Sequence, residues 1–299
     1  MGRRRFSFRQ RCFIKDTVVG RPVYSASGEK AGTAGVTIIA HRGASAYFPE
    51  NTLPSFEAAV ELGADMVELD VQLSRDGEVI VFHDATLERC TDGRGRAADH
   101  SLKELKRLDA GSWFDSRFAG TRIPTLEEVL SFCRGKIDVN IEIKNEVITA
   151  AGGGIEEQCL DIVDRCCLSG RVLFSSFNPL VLRRLRQLNR HVPIAVLYDK
   201  SIHGSELPSG ITALYEANAF NCGRSELDGT WLVDLREHGI PVNVYTVDDE
   251  EEMNRLIGAG VDGIFTNRPD ILRKLVGSRR NRTANDRFRQ GDKNSRGFA

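Results

Sequence analysis

No stretch of this chain is apolar for long enough to cross a membrane, and the charged opening MGRRRFSFRQRCFIKD holds no hydrophobic segment of the kind a signal peptide needs. The seven cysteines include no CxxC pair and no zinc-like spacing, and only Cys166 and Cys167 are adjacent. An odd, scattered set predicts reduced, mostly buried thiols rather than a disulfide framework. Neither a P-loop nor a GxGxxG fingerprint is present, so nucleoside triphosphate and dinucleotide chemistry are not indicated. These absences predict a cytoplasmic protein with no transmembrane segment.

What is there is an ordinary globular composition, 41% hydrophobic and 28% charged over 299 residues, enough to bury one large core. The net charge of −1 conceals an asymmetry. The first 36 residues contribute +6 and the last 23 contribute +5, which leaves −12 for residues 37–276. An acidic centre is a poor partner for nucleic acid but suits a divalent cation. Residues 1–35 and 278–299 lack sustained periodicity and are rich in Arg, Gly, Ser and Asn, which predicts basic, disordered extensions around a domain at 36–277.

Inside that domain, β-branched runs alternate with amphipathic stretches, the pattern of a parallel α/β sheet. Extended runs fall at Val36–Ala40, Met66–Val71, Val79–Phe82, Ile137–Ile143, Arg171–Ser175, Ile194–Tyr198, Ala219–Cys222, Val242–Val247 and Gly263–Thr266. Helical patterns fall at Leu53–Leu62, Leu126–Arg134, Ile155–Cys167, Pro179–Leu188, Gly229–His238, Asp249–Ala259 and Pro269–Val276. Nine extended runs are one more than an eight-stranded barrel requires. The link from the second run to the third contains the tight-turn sequence Arg75-Asp76-Gly77 and is too short to join parallel strands, so Val79–Phe82 should return antiparallel as a hairpin arm. The remaining eight predict a TIM-type (β/α)8 barrel. A long excursion, residues 85–124, breaks the rhythm after the arm and is expected to form a small insertion.

Active sites of such barrels gather at the carboxyl ends of the strands. His41-Arg42-Gly43 ends the first run, Glu68 and Asp70 lie at i and i+2 near the end of the second, His83-Asp84 ends the arm, and Glu142 with Lys144 repeats the i, i+2 spacing on the fourth. Three converging carboxylates repel one another unless positive charge sits among them. One arrangement is a buried salt-bridge network with Arg42 and Lys144; the other is a site for a hard cation, Mg²⁺ or Ca²⁺. The company of two histidines and an arginine at strand ends favours the cation. His41 and His83 suit a general acid and base near neutral pH, and Arg42 with Lys144 implies an anionic, phosphate-bearing small molecule.

The same residues resemble the glycerophosphodiester phosphodiesterases. The matching pieces are His41-Arg42-Gly43, Pro49-Glu50-Asn51-Thr52, Glu68-Leu69-Asp70-Val71, Val81-Phe82-His83-Asp84, Asp109 to Phe114, Ile123 to Glu128, Ile141-Glu142-Ile143-Lys144, Ser175-Ser176-Phe177 and Thr266 to Asp270. They run in the family's order from about Ile38 to Leu275. The resemblance implies His41 and His83 as the acid/base pair, Glu68, Asp70 and Glu142 as divalent-metal ligands, and Arg42 on the phosphate with Lys144 close by. Glu50 and Asn51 match a motif at the rim, with Glu50 steadying Arg42, and residues 85–124 match an insertion covering one side of the pocket. Tyr245 departs from the family's frequent Trp and is expected to keep an aromatic wall while adding a hydroxyl.

The implied reaction is metal-dependent hydrolysis of a glycerophosphodiester to glycerol 3-phosphate and an alcohol. A lysophospholipase D or sphingomyelinase D type activity would need an apolar path, for which Trp113, Phe114 and Phe118 are candidates. A barrel that binds without catalysis should have lost a carboxylate or a histidine, and none is missing.

Neither extension carries a residue of this constellation. A chain trimmed to about residues 34–277 is therefore expected to match the full chain in kcat/KM on a soluble glycerophosphodiester. A loss beyond roughly tenfold, about 1.4 kcal/mol, would show that an extension shapes the pocket.

Overall fold

Strands buried on both faces need apolar residues at nearly every position, and the runs above meet that demand. The computed structural model describes residues 35–144 and 154–278. Apart from Gly35 and Ser278, the basic extensions lie outside the described residues. Among those described, nine strands form: β1 (Thr37–His41), β2 (Met66–Leu73), β3 (Val79–Val81), β4 (Asp138–Ile143), β5 (Val172–Ser176), β6 (Ile194–Leu197), β7 (Ala219–Gly223), β8 (Val242–Tyr245) and β9 (Gly263–Thr266). Their order is β1-β9-β8-β7-β6-β5-β4-β2-β3, and a β1–β2 pairing closes the sheet. Every pairing in the closed ring is parallel. The exception is β3, which folds back antiparallel on β2 as the short Arg75-Asp76-Gly77 link requires. The fold is a TIM-type (β/α)8 barrel with a hairpin arm.

Helices cover the barrel at Leu53–Glu61, Leu126–Cys133, Ile155–Arg165, Pro179–Leu188, Pro208–Leu214, Gly229–Glu237, Glu250–Ala259 and residues 269–278. The helix Pro208–Leu214 was absent from the periodicity. It is short, carries Gly210 and two β-branched residues, and buries only Pro208, Ile211 and Thr212. Its first turn is held from outside, with Ser209 donating from both its amide and its hydroxyl to Asp234. Five cysteines, Cys90, Cys133, Cys159, Cys166 and Cys222, are free and buried.

Period-2 alternation divides the strands between two layers. Ile38, Ala40, Val67, Leu69, Val139 and Ile141 face outward into the large core beneath the helices. Ile39, Met66, Leu173, Ala195, Ala219 and Phe265 face inward and plug the barrel. Polar pairs lie in the barrel as well, with Asn140 donating to Ser175 and Asn243 to Asn221. Each inward plug residue fixes where the next inward residue on its strand must point.

The insertion has a core of its own, built from Leu87, Cys90, Ala97, Leu105, Ala110 and Ile123 against Ile80 and Phe82 of the arm. The arm serves two cores, since Val79 and Val81 face the barrel's. Asp109 organises the loop by accepting from the amides of Gly111, Ser112 and Gly120. The aromatics Trp113, Phe114 and Phe118 stand apart from the insertion core and cluster with Phe48 of the β1 loop.

The chain leaves β1 through a left-handed turn, with Arg42 at φ 57° and Gly43 at φ 86°. A Cβ at Gly43 would lie 2.3 Å from Ser55 Oγ and 2.6 Å from its carbonyl carbon. Gly77 has a similar φ of 83° with nothing within 4 Å of the Cβ position. Gly77→Ala therefore bears backbone strain alone and Gly43→Ala bears strain and a clash. Urea unfolding should show Gly43→Ala as the less stable of the two by roughly 1–3 kcal/mol. Equal midpoints would mean that the Arg42–Gly43 turn relaxes freely.

Candidate active site

Two residues beyond the apolar plug, the inward positions turn polar. His41 follows Ile39, Glu68 and Asp70 follow Met66, Glu142 follows Asn140, and Ser175 follows Leu173. The register sets His41 beside Glu68 and Asp70 beside Glu142. One ligand oxygen from each of Glu68, Asp70 and Glu142 lies within 4.8 Å of the others.

Asp70 is the best compensated of the three. Arg42 Nε and Lys144 Nζ are each 3.3 Å from its oxygens, and Asn51 Nδ2 donates to it at 2.8 Å. Burial would raise its pKa, but Lys144 and Arg42 outweigh that and hold it low. Glu142 accepts from Lys144 at 2.8 Å, yet burial and the neighbouring Asp70 still raise its pKa. Glu68 accepts one bond, from the Arg42 amide at 2.9 Å. Burial, then Asp70 and Glu142, push its pKa well up. A salt-bridge network surrounds Asp70, and beside it stands a carboxylate excess at Glu68 that the network leaves uncompensated. All-oxygen donors with surplus negative charge fit a hard divalent cation.

The two histidines are each held at Nδ1. His41 Nδ1 lies 2.8 Å from Asn267 Oδ1. Asn267 in turn has its Nδ2 2.5 Å from Asp248, and Ser45 also donates to Asn267 Oδ1. A carboxylate can only accept, so the Asn267 oxygen faces His41 and the imidazole donates from Nδ1. Its Nε2 is then the basic atom. Burial, with the Arg42 cation adjacent, lowers the His41 pKa to about 4. His83 Nδ1 lies 2.6 Å from Asp84 Oδ1. Hydrogen bonds from Arg89 keep the Asp84 carboxyl well below its usual range, so His83 also donates from Nδ1. The neighbours differ in charge: an amide and an arginine beside His41, an ionised carboxylate beside His83.

Arg42 is aimed by Glu50, which accepts from Nη1 at 2.7 Å. Asn51 is a second left-handed residue, φ 56°, whose amide donates to the Arg42 carbonyl. Sequence placed Asn51 at the rim, but it is buried and bonded to Asp70. A cavity of about 250 Å³ opens here, lined among others by His41, Arg42, Glu68, His83, Glu142 and Lys144. Asp70 and Glu50 act from behind this lining. Tyr245 lines it as expected, edge-on to Phe177 and Phe265. Its hydroxyl is committed to the Tyr198 carbonyl at 3.2 Å, so the extra oxygen ties the wall together.

All nine residues singled out from sequence converge. Those that sequence left without a role are Asn51, Ser45, Asp248 and Asn267, with Asp84 and Arg89. Asn267 is 226 positions from His41, so no local spacing could have joined them. Asp84 was visible only as a charged neighbour of His83.

Comparison with known proteins agrees with this geometry. The profile of the Glycerophosphoryl diester phosphodiesterase family matches residues 41–271. A glycerophosphodiester phosphodiesterase of Caldanaerobacter subterraneus is 41% identical, over 80% of this chain and 97% of the relative. A phosphodiesterase of Oleispira antarctica, solved with the product sn-glycerol-3-phosphate, superposes with a TM-score of 0.72 at 29% identity, over 81% of this chain and 97% of that one. A lysophospholipase D of Rattus norvegicus is 29% identical, over 80% of this chain and 85% of its own. With the profile spanning most of the barrel and a relative matched almost end to end, the chain belongs to the glycerophosphoryl diester phosphodiesterase family, whose members are phosphoric diester hydrolases.

Proposed function

We propose that the protein hydrolyses glycerophosphodiesters to glycerol 3-phosphate and an alcohol, using a divalent cation, Mg²⁺ or Ca²⁺, and two histidines of fixed tautomer. The observation that carries the reading is the carboxylate excess at Glu68, which lines one cavity with Arg42 and with two imidazoles that are both held at Nδ1. Glu68, Asp70 and Glu142 would hold the cation. When bound, it supplies Lewis-acid stabilisation of charge growing on the phosphoryl oxygens.

The chain's own groups do the rest. Arg42, aimed by Glu50, binds and orients the phosphate, and Lys144 adds a point charge. His41 Nε2, neutral and basic, takes the proton of the substrate's glycerol 2-hydroxyl, which attacks phosphorus. His83 Nε2, whose imidazolium the Asp84 carboxylate compensates, gives a proton to the departing alcohol oxygen. The cyclic glycerophosphate so formed is opened by water with the roles exchanged: His83 takes the water's proton and His41 returns one to the ring oxygen.

A lysolipid substrate is the second reading, favoured by one feature: Trp113, 38% exposed, lies against Phe114 at the edge of the aromatic cluster. Release of glycerol 3-phosphate from glycerophosphocholine, against choline release from lysophosphatidylcholine, separates the two.

Divalent cation should raise the thermal midpoint of the wild type, and Glu68→Gln should abolish most of that shift while leaving the cation-free protein as stable as before or more so. Asp70→Asn should also abolish it but destabilise the cation-free protein by about 2–4 kcal/mol, because Arg42 and Lys144 lose their shared partner. Full activity of the wild type in excess chelator would overturn the metal assignment.

A 2-deoxyglycerol phosphodiester keeps the phosphate and the leaving alcohol but lacks the internal nucleophile. It should turn over at least ~10³-fold more slowly, given the effective molarity of a tethered hydroxyl. A near-normal rate would mean that water attacks directly.

A further inference from the structure

Arg89 has no part in the scheme above, yet every polar edge of its guanidinium is spent on it. Nη1 and Nη2 donate to the two Glu50 oxygens, both at 2.8 Å. Nε and Nη2 donate to the two Asp84 oxygens at 2.5 and 2.8 Å. Each of those carboxylates is also engaged by a group in the cavity. Glu50 Oε1 accepts from Arg42, and Asp84 Oδ1 accepts from His83. The result is an unbroken line, Arg42–Glu50–Arg89–Asp84–His83, that joins the β1 loop to the end of the arm through one residue of the insertion.

We propose that Arg89 is a positioning residue for the hydrolysis, setting the placement of Arg42 relative to His83 by clamping Glu50 and Asp84 in fixed orientation. The proposal rests on the roles given to Arg42 and His83 above. Its physical content is the shape of the guanidinium. Two carboxylates taken bidentately on adjacent edges of one rigid plane are fixed in distance and in angle to each other. A lysine in the same place supplies charge without the angle. Arg89 is itself half exposed, so solvent screens its pairs and its removal should leave the fold largely intact. A phosphate held by Arg42 must meet a proton held by His83 along one line, and a displacement of about 1 Å is enough to cost activity.

The test is Arg89→Ala and Arg89→Lys in the full chain, assayed for glycerol 3-phosphate release from glycerophosphocholine with and without guanidinium chloride at low, non-denaturing concentration. Arg89→Ala is expected to lose at least ~30-fold in kcat/KM, mostly in kcat, with a thermal midpoint near that of the wild type. Guanidinium ion should restore a large part of that loss saturably and leave the wild type unaffected. Arg89→Lys should fall between and respond little. Arg89→Ala within about threefold of wild type would overturn the proposal, as would a loss that tracks a lowered thermal midpoint and gains nothing from guanidinium. Arg42→Ala and His83→Ala, run alongside, keep the two readings separate. If those variants are active, the roles assigned to Arg42 and His83 fail whatever Arg89 does. If they are inactive and Arg89→Ala is not impaired, the clamp alone fails.

Discussion

Asp70 is a carboxylate with 1% of its surface exposed, and the site is organised around keeping it ionised. An ion in so dry a place survives only if partners replace its water. Three do so, each from a different segment: Arg42 from the β1 loop, Asn51 from the following turn and Lys144 from the end of β4. Satisfying Asp70 therefore draws these segments together, and the cationic groups that would meet a phosphate are placed as a by-product. The two left-handed residues, Arg42 and Asn51, are the backbone strain that this convergence costs.

The barrel was legible because its signal is local. Each strand states its burial in four to seven residues, and the hairpin arm follows from a link too short for any parallel connection. The helix Pro208–Leu214 was not legible, since its residues have weak helical preference and its first turn is held by Asp234 from another helix. At the site, sequence could name side chains that would point inward from strand ends. It favoured a cation over a salt-bridge network for the carboxylates, but it could not say how far each carboxylate is compensated. That depends on distances between strands, and the answer is that Asp70 is neutralised by cations while Glu68 is not.

Groups that act through other groups were the ones overlooked. The tautomer of His41 is decided by an amide whose orientation is decided by Asp248, and both lie far along the chain, Asp248 after β8 and Asn267 after β9. Arg89 sits in the sequence among residues that read as the start of a loop. Only the closed ring reveals that the beginning and the end of the barrel share one imidazole, and that the insertion reaches back to the first loop.

The arm β3 faces two cores of very different size, and His83 follows it directly. The insertion core has eight buried members, whereas the main core extends beneath all of the helices. Small cores open at lower free energy than large ones. The insertion can therefore let go of Ile80 and Phe82 while the barrel is still intact, and when it does His83 loses its seat. Heating is then expected to idle the active site before the barrel unfolds, while the far-ultraviolet spectrum is still largely intact.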